Sequence, residues 1–378
     1  MSAPRIALPR WVDVVLLPVL NVSLAFLIGG IVVLAVGENP IEAVRIMFYG
    51  AFGYGYGFGF TLYYTTNFVF AGLAVALAYH AGLFNIGGEG QAYVAGLGAI
   101  LVALAVAGLH WALALPLIMI ASALFGGIWA LIPGYLQAKR GSHVVITTIM
   151  MNFIATSLMS YLISRVLKPP HIASDESERV DAMTRVPFLS EWIPMLRNTP
   201  VNISFFLAIA ALVGVYILIW RTKFGYALRT MGHSGTAARY AGMSNAKLIM
   251  ITMAISGALA GMIAVNDVAG AHGRLLLNYV AGTGFVGIAV AFMGKAHPIG
   301  VGLSALLFGV LYQGGQELAF TMPAITREMI LTIQALVILF TGAMSEMLRR
   351  PVELAFIFSR LRGHDPDTQP KLAAQEDK

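Results

Sequence analysis

The sequence predicts an all-α polytopic membrane protein, and three observations carry that expectation. Of its 378 residues, 58% are hydrophobic and only 11% are charged, against about 25% charged in a typical soluble domain. The mean hydropathy is +0.79. Long uncharged apolar runs recur from near the N-terminus to residue 345. No water-soluble fold of this length could keep so much apolar surface from water, so soluble, disordered and fibrous classes are excluded. The net charge of +6 reads as Lys and Arg gathered in cytoplasmic loops, with no nucleic acid implied. Cysteine is absent, which excludes disulfides, thiolate metal sites and a Cys nucleophile.

A helix needs about 20 apolar residues to cross the hydrocarbon core. The first run, 14–37, follows a short basic N-terminus, Met1 to Arg10. It is too long for a signal-peptide core and reads as an uncleaved first span. Residues 38–60 form an outer loop, and the stretch Gly53-Tyr54-Gly55-Tyr56-Gly57-Phe58-Gly59-Phe60 suggests irregular backbone with aromatics at the headgroups. The run 61–79 is the second span. The run 90–138 must fold back once, and Gly108-Leu109-His110 is its turn. Further spans are expected at 144–164, 198–220, 248–266, 275–294, 299–316 and 329–345. That makes about ten. Residues 1–346 then form a single transmembrane domain, and 347–378 a polar cytoplasmic tail.

Ten spans put both termini on one side. With the N-terminus inside, 16 of the 24 basic residues lie in inner segments, and five of the outer eight lie between Arg165 and Arg197. The positive-inside rule therefore places both termini in the cytoplasm. Two loops exceed what a hairpin needs. Loop 167–200 faces the periplasm and carries five prolines; loop 221–247 faces in and is basic and rich in Ala and Gly.

Catalytic constellations are missing. There is no G-x-x-x-x-G-K-[ST] loop, no H-E-x-x-H and no G-x-S-x-G, so nucleotide binding by a phosphate loop, zinc hydrolysis and serine hydrolysis are excluded. The chain is expected to be no enzyme, and to hold neither a metal nor a cofactor.

Polar groups at membrane depth are functional candidates by default. Gly82-Leu83-Phe84-Asn85-Ile86-Gly87-Gly88-Glu89-Gly90-Gln91 links the second and third spans. One reading is a broken helix beside a translocation route, with Asn85, Glu89 and Gln91 at the break; the other is a tight cytoplasmic turn with Glu89 as a solvated cap. Asn67, Asn152, Asn266, Asp267, Gln313, Gln316, Glu317 and Gln334 sit in or at the ends of spans. Amides can both donate to and accept from a hydroxyl-rich solute. Equally, they can bond helix to helix. No Lys or Arg lies mid-span, which points to a neutral solute, and no Asp or Glu is expected there to bind a driving ion. Tyr63, Tyr64, Phe68 and Phe70 crowd the outer half of the second span, either to stack on a sugar or base passing through or, as we favour, to form the interfacial belt or pack helices.

In the inner loop, Ser234 or Thr236 can cap a short helix through Ala237–Ala241, and Gly242 can end it. Such a helix suits a groove on a cytoplasmic partner, or else the lipid headgroups.

Together these segments resemble the permease subunits of bacterial ABC importers of the ribose and branched-chain amino acid type, in the branch for simple sugars and nucleosides. The motif G-L-F-N-I-G-x-E-G-Q stands at Gly82 to Gln91, A-A-x-Y-A-G at Ala237 to Gly242, and V-I-x-T-I-M-x-N at Val145 to Asn152. The likeness runs from about Gly72 to Ser345. It implies that Thr236, Ala237, Ala238, Arg239, Tyr240, Ala241 and Gly242 couple to a cytoplasmic ABC ATPase, which alone binds ATP. It also implies a periplasmic substrate-binding protein, a second permease subunit in a hetero- or homodimer, and two related four-helix halves. Asn67, Asn85, Glu89, Gln91, Asn152 and Gln313 become the pathway candidates. The competing reading is a stand-alone channel or secondary carrier for similar solutes.

Overall fold

The computed structural model describes Val12, residues 16–342 and Val352. The basic N-terminus and all of the 347–378 tail but Val352 lie outside these residues. The described chain is helical and contains no strand; two isolated β-bridges, Glu176 to Leu276 and Phe188 to Asn202, are its only extended pairings.

Two compact units are present. One comprises Met1–Gly37 with Leu331–Lys378. It holds α1 (Leu17–Ala35), whose Gly29 lies so close to Ile333 that an added Cβ would sit 3.1 Å from its Cγ2. The other, Glu38–Ile330, holds α2 (Pro40–Phe52), α3 (Gly55–His80), α4 (Gly88–Ala105), α5 (Trp111–Arg140), α6 (Val144–Tyr161), α7 (Ser204–Arg221), α8 (Lys223–His233), α9 (Gly235–Tyr240), α10 (Asn245–Ala264), α11 (Thr283–Met293) and α12 (Pro298–Thr321). A last helix, α13, spans Arg327–Gly342.

Helix α3 is the axis of the larger unit. Every residue from Thr65 to Ala78 is buried, among α2, α10, α11 and α12. Small residues bring α5 and α10 together: a Cβ on Gly257 would meet the Gly126 carbonyl oxygen at 2.3 Å, and one on Gly261 the Ser122 carbonyl at 2.5 Å. This is the close backbone approach that Gly-rich membrane helices use.

Among the described residues, seven helices are long and apolar enough to cross a membrane, or eight if Phe26–Ala35 and Pro40–Phe52 count as one broken span. Ten are not reached among them; the expected span 329–345 runs past the described residues, and another expected span differs in form. Residues 275–294 do not form one long helix: only α11 is helical there, with 11 residues. The segment before it bends through Asn278, Ala281 and Gly282, all at positive φ. Residues 38–60 are not an irregular loop either. Asn39 Oδ1 accepts from Ile41 N at 2.9 Å, Pro40 opens the first turn and Glu42 stands within it, which together start a helix. The glycines of 53–60 serve packing, since a Cβ on Gly57 would sit 1.9 Å from the Gly50 carbonyl oxygen.

Two helices end in wide π turns, Leu162–Leu167 and Val265–Ala271. The second carries α10 past its expected end at residue 266. Loop 167–200 is strapped over this π segment. Val186 N donates to Ala269 O at 3.1 Å, Val180 N to Gly273 O at 2.7 Å and Ser177 N to Leu275 O at 3.0 Å. Arg274 pairs with Glu176 at 2.5 Å. At the loop's edge Lys168 Nζ lies 2.8 Å from Asp175 Oδ1, and this bond holds the Asp175 carboxyl below the usual carboxylate range.

Contacts at the helix ends follow the alternation of a polytopic chain. At one end Thr184 Oγ1 donates to Val106 O and Leu109 O, and Tyr54 OH to Glu317 Oε2 at 2.6 Å. At the other, His80 Nε2 lies 3.0 Å from Ala296 O, and Gly232 abuts the His80 carbonyl.

Candidate functional site

Between α3 and α4 the chain breaks. α3 closes with Leu83 N on Ala78 O at 3.0 Å and Gly82 at φ +71°, a left-handed exit that suits glycine. At 1.5 Å per residue, α3 is about 39 Å long and α4 about 27 Å. Residues 83–87 make up the difference in non-helical form, and Leu83, Asn85 and Gly87 are buried there.

Amides hold this break. Asn85 Nδ2 donates to Gln91 Oε1 at 3.0 Å and to Ser256 Oγ at 2.8 Å, while Asn85 Oδ1 accepts from Gly87 N and Gln91 Nε2. Asn152 Oδ1 accepts from Gly90 N at 2.9 Å, and its Nδ2 donates to Ile86 O at 3.0 Å. The freed backbone groups thereby gain partners that lipid could not provide.

Glu89, in the first turn of α4, caps a different helix. Its Oε1 accepts from Gly282 N and its Oε2 from Gly284 N, each at 2.8 Å. These are the free N–H groups at the start of α11, where a carboxylate is favoured by the helix dipole. Two helix N-termini, α4 and α11, thus meet inside the larger unit through one carboxylate. A Cβ on Gly284 would sit 2.2 Å from Glu89 N, so backbone touches backbone. Gly284→Val must therefore part the two helices, and we expect a fall in melting temperature of the purified protein by several degrees. An unchanged melting curve would show that the junction can relax. Around it, Tyr93 OH accepts from Asn278 N at 2.8 Å and Tyr279 OH donates to Ala92 O, fixing the non-helical stretch before α11.

A second buried network lies in the π turn. Tyr63 OH and Asn67 Nδ2 both donate to Asp267 Oδ1, at 2.6 and 3.0 Å. Asn266 Nδ2 donates to Asn67 Oδ1 at 2.8 Å, and Asn202 Nδ2 to Asn266 Oδ1 at 2.9 Å. Asp267 is 1% exposed. Asp267, expected at a span's end, lies inside the helix near its end, because the helix of α10 runs on through residue 271.

The expected pathway residues therefore fall into two groups. Asn85, Glu89, Gln91 and Asn152 converge on the break, and Asn67 on the π turn. Gln313 joins neither; it is buried in α12, one turn beyond Gly309, which faces Thr61 and Thr65 of α3. Of the favoured packing aromatics, Tyr63, Phe68 and Phe70 are buried, as packing requires, while Tyr64 is partly exposed. Sequence reasoning missed Ser256, Tyr93, Tyr279 and Tyr312, none of which stands in a recognisable motif. Among the described residues no group of three His, Cys, Asp or Glu could hold a metal.

At the His80 end, Thr222 Oγ1 caps α8 through Gly225 N at 3.0 Å. Ser234 Oγ caps α9 through Ala237 N at 3.2 Å, and Gly242, at φ +76°, ends it. Thr236, Ala237, Arg239, Tyr240, Ala241 and Gly242 are exposed, whereas Ala238 is fully buried. Ala238 thus faces its own protein, and Tyr240, 91% exposed, is the large group presented outward.

Long apolar helices around a central α3, with the N-termini of α4 and α11 joined inside the unit, define a multi-pass membrane permease. The chain belongs to the family of permease components of branched-chain amino acid transport systems, whose model matches residues 57–342. It is 34% identical to a glucose ABC transporter permease protein of Haloferax volcanii over 93% of each chain. It is 35% identical to a guanosine ABC transporter permease protein of Bacillus subtilis, over 87% of this chain and 93% of the relative. With a nucleoside ABC transporter permease protein of Lactococcus lactis it shares 32% identity over 86% of this chain and 90% of the relative. No solved structure matches the chain.

Proposed function

We propose that this permease forms the pathway of an ATP-driven importer for a neutral solute, a nucleoside or a simple sugar. The carboxylate bridge between the N-termini of α4 and the short α11 carries the reading. Broken helices at membrane depth are where transporters bind and pass solutes. Among the described residues no Lys or Arg is buried, so an anionic solute would find no counter-charge. Relatives named for guanosine, nucleosides and glucose agree with that chemistry.

In this reading ATP is bound and hydrolysed by a separate cytoplasmic ABC ATPase, whose cleft receives α9. A periplasmic binding protein delivers the solute to the face strapped by loop 167–200, and a second permease subunit, identical or related, completes the complex. The protein sits in the inner membrane as one domain over 1–346. Ten crossings follow if α1, the segment 275–293 and α13 are counted beside the seven long helices, with two related four-helix halves among them. Both termini then face the cytoplasm.

Uptake by the reconstituted complex tests the function: guanosine or glucose should enter vesicles only with ATP and the binding protein present. Accumulation without the ATPase would replace the importer by a channel or carrier. Topology is tested separately. In this Cys-free chain, Ser234→Cys should react with an impermeant thiol reagent only in inverted vesicles. Labelling from the periplasmic side would overturn the orientation.

A further inference from the structure

A row of aromatic side chains leads inward from the Tyr54 end of the bundle. Tyr56, Phe60 and Tyr64 stand four residues apart on α3 and so share one face of the helix. Their rings follow one another, Tyr56 to Phe60 at 4.7 Å and Phe60 to Tyr64 at 6.3 Å between centroids. Tyr312 of α12 continues the row, 5.7 Å from Tyr64 and 4.9 Å from Phe68. Tyr312 closes the row on α12, three residues after Gly309, which lies against Thr61 and Thr65 of α3.

Exposure separates these rings from their neighbours. Tyr56 is 47% exposed, and Phe60, Tyr64 and Tyr312 are partly exposed, whereas Phe68 and Phe70 below them are buried. Tyr64 lies nine residues from the start of α3 and Tyr312 nine from the end of α12. Both are therefore about 13 Å along their helices from that end. Lipid-facing tyrosines belong to the interfaces, where the hydroxyl reaches water. At this depth a part-exposed ring with a polar tip fits a hydrated route better than lipid. The Tyr312 hydroxyl has no hydrogen-bond partner among the described residues, so it is available to a ligand.

We propose that Tyr56, Phe60, Tyr64 and Tyr312 form a stacking track for the base of a nucleoside, with the Tyr312 hydroxyl as its polar stop. The proposal rests on the importer reading and narrows its solute from the two classes to one. A flat base can pass from ring to ring without sequence-like hydrogen-bond selection, because every base presents a π face. A hexose can lay the C–H face of its ring on an aromatic side chain but has no π system of its own, so it stacks more weakly and glucose serves as the comparison.

The test measures uptake of radiolabelled guanosine, and separately of glucose, by the complete reconstituted transporter. Wild type should take up guanosine. Tyr64→Leu should lower that uptake by about tenfold or more, Tyr64→Phe should restore most of it, and Tyr312→Phe should lower it less than Tyr312→Leu. Tyr161→Leu, which removes an exposed ring far from the row on α6, should stay within about twofold of wild type. Co-purification of the ATPase and the second permease subunit with each variant reports assembly. Guanosine uptake by Tyr64→Leu within twofold of wild type overturns the track. So does uptake of glucose but not guanosine by wild type. Loss of the second permease subunit from Tyr64→Leu, with restoration by Tyr64→Phe, would make the row a subunit interface and overturns it as well. ATP-dependent uptake of neither probe by wild type would instead strike at the importer reading.

Discussion

Glu89→Ala should abolish most solute uptake while the protein still inserts and still holds its partners. The carboxylate accepts two backbone N–H groups of α11 at 2.8 Å. Its removal leaves both donors inside the protein without an acceptor, at about 1–3 kcal/mol each. The negative charge that matches the α11 N-terminus goes with it. Glu89→Gln is the informative companion. Its single carbonyl oxygen can serve Gly282 or Gly284 but not both, and its amide nitrogen would face an N–H. Uptake should then fall by about tenfold, between wild type and Ala. ATP hydrolysis should persist in both variants, because the ATPase contacts proposed for α9 are untouched. Wild-type uptake by Glu89→Ala would show that α4 and α11 hold together through Gly284 packing alone.

The parts of this fold that were legible in the sequence are the local ones. Gly108 bends the 90–138 run where expected, at φ +81°, because a left-handed turn needs only its own glycine. Ser234 and Gly242 bound α9 as their types predict. Helix α2 was equally local, with Asn39, Pro40 and Glu42 in start positions, but the glycines just after it outweighed those signals. Sequence cannot tell a glycine that frees the backbone from one that admits a neighbour, and Gly57 and Gly59 are of the second kind. The shortness of α11 was hidden for another reason. An apolar run has the same composition whether helical or extended, and the bend at Ala281, φ +47°, uses a residue that ordinarily favours helix.

The candidate site was legible as a motif and not as a geometry. Gly82 to Gln91 read as a broken helix or a tight turn, with Asn85, Glu89 and Gln91 at it, whereas Asn152 was a separate span residue and its place at the break was not readable. That Glu89 would cap a helix was readable; which helix was not, since Gly282 lies 193 residues away and no local pattern encodes such a pairing. Likewise Asp267 appeared to sit at a span end because its helix continues as a π turn, for which the sequence carries no distinguishing period.

Tyr240→Ala should uncouple the permease from its ATPase. The ring is 91% exposed, so its loss removes almost no internal packing, and stability should change by no more than about 0.5 kcal/mol. A tyrosine anchor at an interface, by contrast, is worth about 2 kcal/mol or more, or about a thirtyfold loss in affinity. Co-purification of the ATPase and uptake should therefore fall together, with expression and melting temperature unchanged. Ala238 gives the opposite pattern. It is fully buried and its carbonyl accepts from Met243 N at 2.9 Å, so Ala238→Trp must displace α9 itself and should lower stability as well as uptake. Ser234→Ala falls between, removing one cap at about 1 kcal/mol and loosening α9 without touching its outer face. The three variants separate a docking role from a structural one, because only Tyr240→Ala is expected to leave the melting curve in place. Retention of the ATPase with wild-type uptake by Tyr240→Ala would instead place this face of α9 on the lipid headgroups.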